Sequence, residues 1–237
     1  MPDFVLAMAY ASLAGIAIPI GGALASADWV LPNWLRQEVR HGVIAFGAGV
    51  LIAAIALVLV PEGMEAVSLW MALAAFAAGG AVFCMVDRAI KRTGGGGAQL
   101  MAMVMDFLPE SLALGAMLSV KPKTGLLLAI LMALQNLPEA FNAFREIRNS
   151  TQMRPAKILV SFAALALLGP AAALIGYFVL QPMPEVLGAI MLFAAGGILY
   201  LIVQDIVPQA PMENAWAPPL GAVAGFGLGM LGQGLTG

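Results

Sequence analysis

The sequence predicts an all-α integral membrane protein of eight transmembrane helices arranged as inverted repeats. Three observations lead there. Of 237 residues, 62% are hydrophobic and only 10% charged, with a mean hydropathy of +0.95, whereas a soluble domain carries about 25% charge. Apolar runs long enough to cross a hydrocarbon layer of roughly 30 Å recur along the chain. Two of these runs also repeat one pattern, polar-x-x-Pro-Glu, as Asp106-Phe-Leu-Pro-Glu110 and Gln135-Asn-Leu-Pro-Glu139.

The first run, near residues 4–26, follows Met-Pro-Asp-Phe, which lacks the basic stretch of a signal peptide, so it is expected to stay as a span. Runs near 41–60, 67–88, 99–119, 124–145, 157–180, 184–207 and 216–236 complete eight spans in a single transmembrane domain, 1–237. Lys121-Pro-Lys123 reads as a tight turn between the fourth and fifth, and Lys91 to Gly97 as a flexible linker. Trp29, Trp34, Trp70 and Trp216 all fall near proposed ends, as an interfacial belt requires. Cys84, the one cysteine, sits in an apolar run and reads as a small packed hydrophobe, and a net charge of -2 argues against a nucleic-acid partner.

Orientation follows from the basic residues. Nine of the eleven lie in the first, third and fifth connections and flanks: Arg36, Arg40, Arg88, Lys91, Arg92, Arg145, Arg148, Arg154 and Lys157. The positive-inside rule puts those connections in the cytoplasm and both termini outside. A second repeat lies in the apolar background, where Phe46, Ala48, Gly49, Val60 and Pro61 match Phe193, Ala195, Gly196, Val207 and Pro208 at identical spacing. The two spans concerned run in opposite directions, as do the fourth and fifth, which is the pattern of inverted-repeat transporters.

The charged repeat carries the chemistry. A carboxylate at mid-membrane costs about 2.5–3.5 kcal/mol on insertion scales. Residues four apart share a helix face, so Asp106 stacks with Glu110 and Gln135 with Glu139. Each proline removes a helical hydrogen bond, freeing the carbonyls of Met105 and Leu134 at the same depth. The result is a cluster of hard oxygen donors with no basic residue inside either span to neutralise it. A divalent cation removes the mutual repulsion, and protons compete with it for the same oxygens.

These motifs resemble those of the ZIP metal transporters, whose fourth and fifth spans carry His-Asn-x-Pro-Glu-Gly. Phe46 to Glu62 resembles the family's second span, Gly169 to Tyr177 its sixth, and Ala194 to Gln209 its seventh. The resemblance implies a metal carrier rather than an enzyme, with no resident cofactor, acting as a homodimer in the lipid bilayer of the plasma (cell inner) membrane and bringing metal into the cytoplasm. It implies a metal site at Asp106, Glu110, Gln135, Asn136 and Glu139. The departures are specific: Asp106 and Gln135 stand where histidines are usual, Phe107 replaces an asparagine, and Gly169 replaces a sixth-span glutamate that helps hold a second metal. One site is therefore expected where two are usual. Carboxylate and amide oxygens shift the expected cargo from zinc toward manganese or ferrous iron.

Glu62 is a candidate entrance residue and Asp205 a candidate exit residue. Met101, Met103 and Met105 read as lipid contact or packing, because their spacing puts Met103 off the face of the other two. Gly221, Gly225 and Gly229 form GxxxG steps for close packing. The absence of a Walker motif excludes direct use of ATP. The alternative reading is a transport-inactive relative serving as sensor or scaffold.

Overall fold

Backbone polar groups find no water inside a bilayer, so a chain this apolar must satisfy them within helices. In the computed structural model, which describes residues 2–27, 33–93, 97–209 and 216–236, every regular element is a helix. The first helix is Asp3–Ala27. The second covers 33–66, in which Asn33–Ala54 passes through a π-helical turn, Ile55–Leu59, into Val60–Ala66. The third, fourth and fifth are Leu69–Thr93, Gly97–Val120 and Pro122–Ser150. The sixth covers 155–180, the seventh 184–209, and the eighth is Ala217–Thr236. The first seven contain stretches long and apolar enough to cross a membrane. The eighth is richer in glycine and less apolar. Trp29, the side chain of Trp34 and the glycines at 94–96 lie outside the described residues, while Trp70 and Trp216 are exposed.

Prolines explain the irregular turns. The three π-helical turns, Ile55–Leu59, Gly176–Leu180 and Ile202–Ile206, each begin six residues before a proline: Pro61, Pro182 and Pro208. The proline ring excludes the carbonyl four residues back, and widening the turn relieves that clash. Pro170 breaks the sixth helix outright, so that Pro155–Ala166 and Leu168–Ile175 meet at Leu167. The second helix thus runs past Pro61 and carries Glu62 within its last turns rather than in a loop.

Glycines set the helix pairs, because without a Cβ two backbones can touch. A Cβ on Gly49 would strike the Ala222 carbonyl, and one on Gly225 the Phe46 carbonyl, so the second and eighth helices cross in contact. The third and seventh cross likewise, with Gly79 against the Phe193 carbonyl and Gly196 against that of Phe76. Gly21 meets the Leu137 carbonyl between the first and fifth helices, and Gly115 meets the Ala173 carbonyl between the fourth and sixth. The first, fourth, fifth and sixth helices form one packed group, and the second, third, seventh and eighth pair beside it. The fifth helix bridges the groups, its Pro138 ring lying against Gly47. Its inward face, from Leu127 through Ile147, is a continuous buried stripe.

Candidate metal centre

The fourth and fifth helices are antiparallel neighbours joined by one residue, Lys121, so their Pro-Glu motifs come to the same depth. Asp106, Glu110, Gln135 and Asn136 are all at least 98% buried, and Glu139 is partly buried. The carboxyls of Asp106 and Glu139 face each other across the gap between the two helices. Glu110 stands one helical turn deeper and accepts a hydrogen bond of 2.6 Å from Gln135 Nε2.

The pairing leaves acceptors without donors. No N–H or hydroxyl reaches Asp106 Oδ1, Asp106 Oδ2, Glu110 Oε1 or Gln135 Oε1, and Asp106 instead meets the carboxyl of Glu139. A buried acceptor left unsatisfied costs about 1–3 kcal/mol, more when charged. Four such oxygens on two facing motifs are what a cation would use. Among the described residues, no three histidine, cysteine, aspartate or glutamate side chains form a ready-made metal cage. The acids instead form two levels, Asp106 and Glu139 at the cavity and Glu110 behind them.

That cavity, about 60 Å³, has Asp106, Gln135, Glu139, Asn142, Asp205 and Met103 among its lining residues. Most lining residues belong to the half of their helix nearer the first, third, fifth and seventh connections, with Leu51 and Gln135 close to mid-helix, so the cavity extends from the acids toward that end. On the other side of Glu110 the helices close over Leu114, Leu118, Leu128, Leu131 and Leu59, all nearly solvent-free. The centre is therefore reached from one end and sealed toward the other.

The expected residues divide by position. Asp106, Gln135 and Glu139 line the cavity, and Asp205, borne on the π-helical turn Ile202–Ile206, lines the same cavity. Glu110 is held behind it through Gln135. Asn136 is turned elsewhere, its Nδ2 donating at 2.9 Å to the Ala14 carbonyl on the first helix. Glu62 lies in a separate hollow at the opposite end, with Glu65, Met117, Lys121 and Gln181. Two wall residues escaped the sequence reading. Asn142 follows Gln135 and Glu139 at helical spacing, and that continuation of the polar face was the available signal. Met103 lies one turn before Asp106; it packs in the core as expected, and it also contributes the cavity wall's one thioether.

The two unusual residues next to the motif account for each other. The Phe107 ring is 1% exposed, and a Cβ on Gly169 would lie 2.5 Å from its Cζ. The ring occupies the room a sixth-helix side chain would need, and Gly15 on the first helix gives way to the same ring. An aromatic ring and a missing side chain thus fill the place beside the acids with hydrocarbon.

Comparison with curated proteins finds no match. The sequence does match the family model described as ZIP Zinc transporter over residues 98–233, from the fourth helix to the eighth, leaving the first three helices outside the matched region. The match covers more than half of an all-helical chain whose helices are built to cross a membrane. At the level of the family, this means divalent metal transport rather than catalysis. The chain is an integral membrane protein and belongs to the ZIP zinc transporter family.

Proposed function

We propose that the protein carries a divalent metal ion across the membrane into the cytoplasm, through a single site between the fourth and fifth helices. The observation that carries this reading is the set of donor-free oxygens on Asp106, Glu110 and Gln135, beside a cavity that Glu139 also lines. Asp106 and Glu139 are the primary ligands, and Gln135 contributes its carbonyl oxygen. Glu110 supplies charge from behind and holds the Gln135 amide in place. Asn136 fixes the first helix to the fifth and is not a ligand. Asp205 and Asn142 receive the ion on its way out of the cavity.

Charge bias supports the direction. The cavity opens toward the end bearing the basic connections, which the positive-inside rule places in the cytoplasm, with both termini outside. The arrangement corresponds to a carrier open to the inside, in a plasma (cell inner) membrane. Transport then requires the group containing the fourth and fifth helices to move against the second, third, seventh and eighth. Paired features support an inverted-repeat origin. The contact Gly49–Ala222 corresponds to Gly196–Phe76, and Gly225–Phe46 to Gly79–Phe193, with π-helical turns Ile55–Leu59 and Ile202–Ile206 at matching places. We also infer a homodimer, which light scattering of the purified protein tests.

The donor set favours manganese or ferrous iron over zinc, since its oxygens outnumber one thioether, that of Met103. Metal uptake into reconstituted vesicles tests the whole reading. Manganese flux is expected in the native protein and is lost in Glu110→Ala and Glu139→Ala. Absence of carboxylate-dependent flux across a panel of divalent ions would remove the carrier reading in favour of a sensor or scaffold.

A further inference from the structure

The hollow at the sealed end holds a charge arrangement that metal binding does not need. Lys121 Nζ lies 2.6 Å from Glu62 Oε2 and 2.5 Å from Glu65 Oε2. Glu62 and Glu65 sit three apart on the last turns of the second helix, so they present one face. That helix also ends there, and its exposed carbonyls favour a cation. Of the three side chains Glu62 is the least exposed, at 18%, so that arm of the bridge is shielded from water.

Lys121 is the one residue linking the fourth helix to the fifth. Its N–H bonds to the Met117 carbonyl at 2.7 Å, and its own carbonyl accepts from Gly125 N–H at 3.0 Å. The turn is thus tied to both helices, and Gly125 packs directly on Leu118 across the corner. A pull on Lys121 is passed to the pair of helices that bears Asp106 and Glu139. The carboxylates belong to the second helix, in the other packed group. The bridge therefore spans the two bodies that must separate at this end if the centre is to face outward.

We propose that Lys121 is a positioning residue of the transport cycle, a latch that bridges Glu62 and Glu65 to hold the outer end shut while the cavity is open on the opposite side. The inference rests on the carrier reading above. The latch spans a hollow that includes Met117 and Met191, so its release exposes a path above Glu110. Exposed ion pairs are weak, and a partly shielded pair is somewhat stronger, which suits a contact that must break in every cycle.

Thiol accessibility of the purified, reconstituted protein tests this. In a Cys84→Ala background, Met117→Cys reports the outer hollow and Ala102→Cys the inner cavity, each probed with a polar maleimide. Lys121→Gln, or Glu62→Gln with Glu65→Gln, is expected to speed labelling at 117 roughly five- to thirtyfold, and to slow it at 102. The exchanged set Lys121→Glu, Glu62→Lys and Glu65→Lys is expected to return both rates toward those of the parent. Faster labelling at both positions would mean general loosening and would overturn the latch, as would unchanged labelling at 117. Reciprocal labelling without metal flux would sink the carrier reading and leave the latch standing. Flux without any response at 117 would do the reverse.

Discussion

Replacing Asp106 with asparagine should make the metal-free protein more stable while abolishing its response to metal. Asp106 is 2% exposed, meets the carboxyl of Glu139, and finds no N–H or hydroxyl donor at either oxygen. The substitution would turn one oxygen into an N–H₂ group aimed at the Glu139 carboxyl. A new buried hydrogen bond together with the relief of an orphaned acceptor is worth about 1.5–3 kcal/mol. For a chain of this size each kcal/mol moves the melting temperature by about 2–4 °C, so the metal-free variant should melt about 3–12 °C higher. The native protein should gain about 2.7 kcal/mol when manganese is raised to a hundred times its dissociation constant, and the variant should gain almost nothing. Thermal unfolding of detergent-purified protein, with chelator and then with manganese, reads both quantities. A variant that melts lower in chelator, or still responds to manganese like the native protein, would refute the reasoning.

Other consequences follow from the packing and the latch. Gly49→Ala and Gly196→Ala each push a methyl into a carbonyl of the crossing helix, and each is expected to cost about 1–3 kcal/mol. Gly227→Ala, which has nothing within 4 Å of its added methyl, is expected to be neutral in the same unfolding assay. Gly169→Glu is expected to destabilise the protein because the Phe107 ring fills the space; Phe107→Asn in the same chain should restore the melting temperature, and calorimetric titration should show whether a second metal then binds. Lys121 is held above the ordinary lysine range, first by its hydrogen bond to Glu62 and then by that to Glu65. A raised value means that the contribution is complete below the ordinary 10.5 and fades only as pH climbs through the higher folded value. The ratio of Met117→Cys labelling with Lys121 present to that with Lys121→Gln, in which the thiolate's own pH dependence cancels, should therefore stay flat from neutral pH up to that value and rise toward one beyond it.

Much of the fold was legible because a bilayer leaves helices as the only economical backbone. Span positions agreed with the helices to within a few residues at most ends. The exceptions have local causes. Apolar runs stop where charge begins, yet the second helix extends from Asn33 through Glu65 to Ala66, the third continues to Thr93 and the fourth begins at Gly97, both inside the stretch read as a linker, and the fifth continues to Ser150, because helical hydrogen bonding does not end at the hydrophobic boundary. The break at Leu167 follows from Pro170, whose effect on a span the hydropathy pattern does not register. The eighth helix met the pattern only loosely, since its glycines lower its hydropathy while improving its fit against the second.

The centre was legible through its motifs but not in its levels. Spacing put Asp106 above Glu110 and Gln135 above Glu139, but could not say which of these would line a cavity. Asn136 looks equivalent to its neighbour in sequence, and only the packing of the first helix against the fifth reveals that its amide is committed to Ala14. Spacing relative to the other methionines hides the place of Met103, whereas the relevant spacing is three residues to Asp106. The bridge at Lys121 joins residues 56 and 59 positions apart and has no local sequence signature.

The most direct measurement is an anomalous difference map from crystals soaked with manganese and recorded at its absorption edge. The account predicts one peak between the fourth and fifth helices, within coordination distance of Asp106 and Glu139 and on the cavity side of Gln135. No peak there, or a peak bound by residues outside these two helices, would contradict it.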